Sequence, residues 1–138
     1  MLEFDIRFDG IDEMNNTFDK LTNEVIQELL ASVDDSGEHL LTQSQKLAPK
    51  LKGDLEASGD KRPARLDGDE IVCSIHFSGL PYIERRHEED YTPGLITAGK
   101  PWVDGMKPGR KFMENPLIYY KNKYVNDWRE TLRRVLSA

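Results

Sequence analysis

Apolar and polar residues alternate strictly at the start of the chain. Leu2, Phe4, Ile6 and Phe8 fall on one side, and Glu3, Asp5 and Arg7 on the other. A period of two is that of a half-buried β-strand, and Asp9-Gly10 ends it. The period then changes. Ile11, Met14, Phe18, Leu21, Val25, Leu29, Val33, Leu40 and Leu47 recur at intervals of three, four or seven, which predicts one amphipathic helix over about residues 11–48. A straight helix of that length spans roughly 55 Å at ~1.5 Å per residue. A chain of this size packs to a radius of gyration near ~14 Å. Either the helix breaks at Asp34-Asp35-Ser36-Gly37, or part of its stripe packs on another subunit, and both can hold. Gly37 is the expected bend, because glycine costs ~1 kcal/mol relative to alanine inside a helix. Val25, Leu29, Val33 and Leu40 are the expected subunit-interface residues of the stripe.

Ala48-Pro49 closes the helix, since a residue before proline avoids the α region. A polar connector follows, with one helical turn around Gly53-Asp54-Leu55. Residues 61–66 read as a strand that Pro63 confines to a sheet edge. Asp67-Gly68 signals a hairpin, and the return strand runs from Glu70 to Phe77 with Ile71, Cys73, Ile75 and Phe77 inward and Val72, Ser74 and His76 outward. The alternation makes Cys73 a small core residue. Residues 78–111 are rich in glycine and proline, with a short helix expected over Tyr82–Glu88 and a strand at Trp102-Val103. Leu80, Tyr82, Tyr91, Leu95, Ile96 and Trp102 lie in this stretch, and disordered segments are poor in such residues. An interaction loop over about 88–111 is therefore expected, with Tyr91, Leu95, Ile96 and Trp102 as partner anchors. Asn115-Pro116 marks the last helix, with Asn as cap and Pro in the first turn. Leu117, Tyr120 or Tyr124, Val125, Trp128, Leu132, Val135 and Leu136 share one side of it. The sum is a single α+β domain over residues 1–138: a small, mainly antiparallel sheet of three or four strands, packed with a long N-terminal helix and a C-terminal helix.

Charge adds a polarity to this outline. The 138 residues carry a net charge of −6, but residues 1–48 hold eleven acids against three bases, and the remainder fourteen acids against sixteen bases. Opposite patches suit head-to-tail contact between copies, and one long solvated acidic helix gives the same pattern. No basic surplus marks a dedicated nucleic-acid binder. No run of ~18 apolar residues predicts a membrane span, and the first residues lack the basic and apolar regions of a secretory leader.

The search for reactive groups is short. One cysteine excludes a disulfide framework and a thiolate zinc site. Glu84 and His87 have the spacing of two ligands on one helix face, but there is no second such pair, and Arg85 and Arg86 oppose a cation. A charged surface helix is expected there instead. No metalloprotease, nucleophile-elbow, phosphate-loop or dinucleotide pattern occurs. No catalytic residue, metal or cofactor is expected. Glu3, Asp5, Asp12 and Glu13 would meet basic residues of a neighbour or repel DNA in a channel. Lys107, Arg110 and Lys111 form a basic cluster able to touch phosphates transiently.

Three segments resemble a known family. Pro49, Gly53, Leu55 and Ser58 match the P-x-x-T-G-x-L-x-x-S segment of neck and tail-completion proteins of long-tailed bacteriophages, with Lys52 where the family has Thr. Gly109-Arg110-Lys111-Phe112-Met113-Glu114-Asn115-Pro116-Leu117 resembles the family's P-F-L-x-P-A-L start of the C-terminal helix. Between them, Tyr82 to Glu88 resembles its Y-A-x-x-x-H/E-x-G stretch, without the usual Gly-Thr end. The resemblance implies a structural virion protein, not an enzyme. It implies a ring of copies, commonly six, at the head–tail junction, contacting the connector and tail-tube proteins, with DNA only passing through and no membrane. Another phage structural part, such as a capsid-associated or tail-tube protein, and a small cellular binding module are the alternatives.

Overall fold

The computed structural model describes residues 1–10, 23–50 and 53–137. The expected helix start over residues 11–22, with Ile11, Asp12, Glu13, Met14, Phe18 and Leu21, lies outside the described residues, as do Leu51 and Lys52.

The alternating residues form the expected antiparallel sheet. Strand β1 (Leu2–Asp9) pairs along its whole length with β4 (Glu70–Phe77), from Leu2 opposite Phe77 to Asp9 opposite Glu70. The other side of β4 carries two short strands, β2 (Gly59–Lys61) and β3 (Arg65–Asp67). The predicted single strand over 61–66 is thus split. Pro63 has no N–H for the ladder, and the Ala64 amide turns away to donate to Asp34 Oδ1 at 2.9 Å. The same carboxylate accepts from Lys61 Nζ at 2.6 Å. Burial raises the Asp34 pKa, but the Lys61 and Ala64 hydrogen bonds outweigh it and hold the carboxyl below its usual range.

One face of the sheet is core. Leu2, Ile6, Ile71, Cys73, Ile75 and Phe77 are buried there. Val72 is buried too, although it points to the opposite face. Its register neighbours are Arg7 on β1 and Arg65 on β3, and arginine stems shield apolar surface while their heads stay in water. The heads are held in place: Arg7 reaches Glu70 at 2.5 Å and Asp5 at 2.9 Å.

Helix α1 (Asn23–Leu47) lies on the core face. It runs through Gly37 without a break, correcting the expected bend. Gly37 answers a different need. A Cβ there would sit 2.3 Å from Cys73 Sγ, so glycine lets helix and sheet approach. Val25, Leu29, Val33 and Leu40 are all buried in this chain's own core. That corrects their assignment to a subunit interface: the sheet and the last helix already cover the stripe over Asn23–Leu47. After α1, Gly53 takes a left-handed conformation (φ 83°) that admits the turn α2 (Asp54–Ala57). Leu55 is buried, and Ser58 Oγ donates to the Leu55 carbonyl at 2.7 Å. Three of the four residues matched to the phage motif therefore have a local structural task.

Helix α5 (Glu114–Leu136) packs against α1 with Tyr120, Tyr124 and Trp128 buried. Hydrogen bonds bridge the two helices at successive turns. His39 Nδ1 meets the Tyr124 hydroxyl at 2.9 Å, Trp128 Nε1 donates to Ser36 Oγ at 3.0 Å, and Thr131 Oγ1 donates to Ser32 Oγ at 3.0 Å. Among the described residues, no helix is long and apolar enough to cross a membrane.

Candidate partner-binding surface

The predicted irregular stretch contains two short helices, α3 (Ile83–Glu88) and α4 (Leu95–Ala98). The strand expected at Trp102-Val103 shrinks to a single bridge between Val103 and Met106. Asp104 and Gly105 turn the chain there with φ of 47° and 82°, the sign an Asp-Gly pair favours in a tight primed turn.

The base of this loop is closed by His87. It is fully buried rather than on the surface, with its ring edge-on to Phe4 and Phe112. Its Nε2 accepts the Glu114 amide N–H at 3.2 Å, and its Nδ1 faces Glu88 Oε1 at 2.8 Å. An amide N–H can only donate, so Nε2 carries the lone pair and Nδ1 the proton. Burial lowers the His87 pKa and keeps the ring neutral. His87 thereby caps α5. The expected Asn115 cap is corrected: Met113 is the cap and the helix begins at Glu114, two residues earlier than expected, with Pro116 still in its first turn. Glu84 is not beside His87 as a co-ligand; it pairs with the N-terminal amine at 3.2 Å.

Arg110 and Lys111 lock the same base. Arg110 Nε donates to the Glu88 carbonyl at 2.8 Å, the Lys111 amide donates to the His87 carbonyl at 2.9 Å, and the Lys111 ammonium bonds Glu88. Both were expected at a channel or intersubunit face, and both are engaged within the chain. Tyr91 is half-buried, with the Arg86 guanidinium 4.9 Å from its ring centre. Glu3 pairs with Arg62 at 3.5 Å, and Asp5 with Arg7.

A second set of tethers holds the loop to the end of α1. Thr97 Oγ1 accepts the Lys50 amide at 2.9 Å. Lys100 Nζ donates to the Ala48 carbonyl at 2.6 Å, the Gln45 carbonyl at 3.3 Å and Glu56 at 2.5 Å. A cation at the carbonyl end of a helix complements its dipole. Neither role was read from the sequence. Lys100 lies 52 residues from Ala48, in a Gly-Lys-Pro setting with no periodic signal.

The tethers leave the apolar residues of the loop outside. Leu95 is 93% exposed, Ile96 54% and Trp102 62%. A groove of about 780 Å³ runs beside Trp102, between it and the last turns of α1, lined also by Thr42, Gln43, Lys46 and Lys100. Three of the four expected anchors are thus surface residues on a pinned segment. The arrangement leaves these apolar groups exposed on a tethered segment; among the described residues no cluster of His, Cys, Asp or Glu could hold a metal. No family model, curated protein or solved structure matches the chain.

Proposed function

We propose that this chain is a structural subunit of the head–tail junction of a long-tailed bacteriophage, forming a ring between head connector and tail tube with a central passage for DNA. The observation that carries the reading is the exposure of Leu95, Ile96 and Trp102 on a loop tethered at both ends. Exposed apolar groups on a tethered support are what an assembly contact needs, because less ordering cost follows on docking. The order of strand, long helix, hairpin, loop and helix, with the three family-like segments in sequence, supports the same reading. The α1 stripe over Asn23–Leu47 is spent inside the fold. Contacts between copies in the ring are therefore assigned to outer surface, including Ile118 and Tyr119 of α5, both more than half exposed.

Electron microscopy of phage particles carrying a labelled copy of the chain tests the proposal. Label at the head–tail junction is the expected result. Label on the capsid or along the tail would assign a different structural role, and absence from particles would overturn the phage reading altogether.

A further inference from the structure

We propose that the groove beside Trp102 grips an extended, uncharged polypeptide segment, pairing the N–H and C=O of one of its residues with the Gln43 carboxamide and seating an apolar side chain against Trp102. This rests on the head–tail reading for the identity of the neighbouring protein and adds which part of that protein is held.

Gln43 carries the inference. It lies near the end of α1, and only 9% of it is exposed. It lines the groove, and its carboxamide has no hydrogen-bond partner among the described residues. Its polar neighbours on the same helix are committed. Thr42 Oγ1 donates to the Glu38 carbonyl at 3.0 Å, and Gln45 Nε2 donates to the Glu56 carbonyl at 3.2 Å. Nor is the Gln43 amide sealed in the core. The side-chain atoms that are both enclosed and unpaired belong to Asp5, Ser44, His76 and Tyr91, so the Gln43 amide opens to the groove that it lines. A nearly buried amide without a partner is uncommon, because no hydrogen bond offsets its desolvation. An occupant of the groove supplies the missing bonds.

The chemistry of the occupant follows from the lining. A carboxamide presents an N–H donor and a C=O acceptor side by side, and one residue of an extended chain presents the complementary pair on one edge. A helix has already bonded these groups within itself, so the held segment is extended. Charge selects neither sign. Lys46 and Lys100 are matched in number by Glu56 and Asp104, and Lys100 is bound to Glu56 at 2.5 Å. Complementary potential therefore favours a neutral segment. Pro101, Trp102 and Val103 supply the apolar lining. Trp102 is 62% exposed, and tryptophan is among the residues that most often anchor an interface. Lys100 fixes this side to the end of α1 through the Gln45 and Ala48 carbonyls. A single-stranded nucleic acid also offers a base able to pair with glutamine and stack on tryptophan. Its phosphates, however, call for a cationic surplus that this lining lacks.

The test uses the full chain and a library of end-capped peptides of about six uncharged residues without tryptophan, ~20 Å long when extended. The expected result is a set of binders that share an apolar position, found by the shift in tryptophan emission and measured by calorimetry. In the tightest binder, methylating the backbone nitrogen at one position should weaken binding about tenfold or more. Gln43→Met should do the same, since either change leaves a peptide group unpaired on docking. Trp102→Ala should weaken it by a similar factor, the loss typical of an anchor residue. Gln43→Met should also melt no lower than the parent chain, because the amide it removes has no partner within the described fold. A library without binders, binding indifferent to Gln43→Met or to Trp102→Ala, or a lower melting temperature for Gln43→Met overturns the inference. So does binding of a deoxyadenosine oligomer with none of the peptides. No phage component enters the assay. Failure here with label at the head–tail junction retires this site alone, and binding here without such label retires the phage reading alone.

Discussion

Gly37 and His87 are where single side chains decide most. At Gly37 two effects oppose. Alanine would gain ~1 kcal/mol of helix propensity, but its Cβ would stand 2.3 Å from Cys73 Sγ. Overpacking of a tight core costs about 1–3 kcal/mol, so Gly37→Ala should lower stability in chemical denaturation. Adding Cys73→Ala should restore most of the loss; a double variant no better than the single one would place the strain elsewhere. The Cys73 thiol, pushed up to about 11 chiefly by burial, should stay unreactive toward thiol reagents in the native state. His87 sets a pH dependence. Its folded pKa lies below its unfolded value near ~6.5, so the unfolded chain binds the extra proton first. Stability is then full above that value and falls as pH drops through the window beneath it. His39, also lowered by burial, contributes with the same sign. Carboxylates held low, such as Asp34, act further down the pH scale. Thermal melts from pH 7.5 to 5.5 should show the loss, and His87→Gln should flatten part of it; an unchanged slope would mean the buried ring does not control the cap. (The pH limits are set around the ~6.5 reference value.)

Helices and strands were legible where burial is one-sided. Strand β1 and helix α5 each fill one face, so a period of two or 3.6 marked them, and β4 keeps Ile71, Cys73, Ile75 and Phe77 on its core face although Val72 and Ser74 are buried as well. The edge strand was misjudged because its break depends on Asp34, which is 30 residues away from Ala64. The contact between α1 and α5 shows how the helices fix their register. Ser36→Ala would strand the buried Trp128 N–H, at a cost of about 1–3 kcal/mol. Trp128→Phe in that background should recover part of it, as read by denaturant midpoint. Among the tethers of the loop, Lys100 binds Gln45, Ala48 and Glu56 together. Lys100→Met should speed amide exchange across Leu95–Ala98 while α5 keeps its protection, since local segments open without global unfolding. Uniform exchange in both proteins would show that Lys100 does not hold the loop.

For the molecule as a whole, the informative contrast is between stability and assembly. Trp102 is 62% exposed, so Trp102→Ala should change stability by no more than about 0.5 kcal/mol. Under the phage reading, the same variant should fail to enter particles. A large drop in melting temperature would assign Trp102 to the core and leave the loop without its anchor. The opposite pattern holds for Leu29 and Leu40. They were expected at a subunit contact and are fully buried within this chain, so truncation to Ala should cost about 2–5 kcal/mol in the isolated protein.

The α+β class, the hairpin, the inward alternation of β1 and β4, the core place of Cys73 and the aromatic residues of the loop followed from residue order, because each depends on neighbours a few positions apart. The covering of the α1 stripe, the purpose of Gly37, the burial of His87 and the grip of Lys100 did not. Each joins groups separated by 27 to 99 residues in the chain, where no local period links them. Which residues stay outside emerges only after those long-range contacts have claimed the rest.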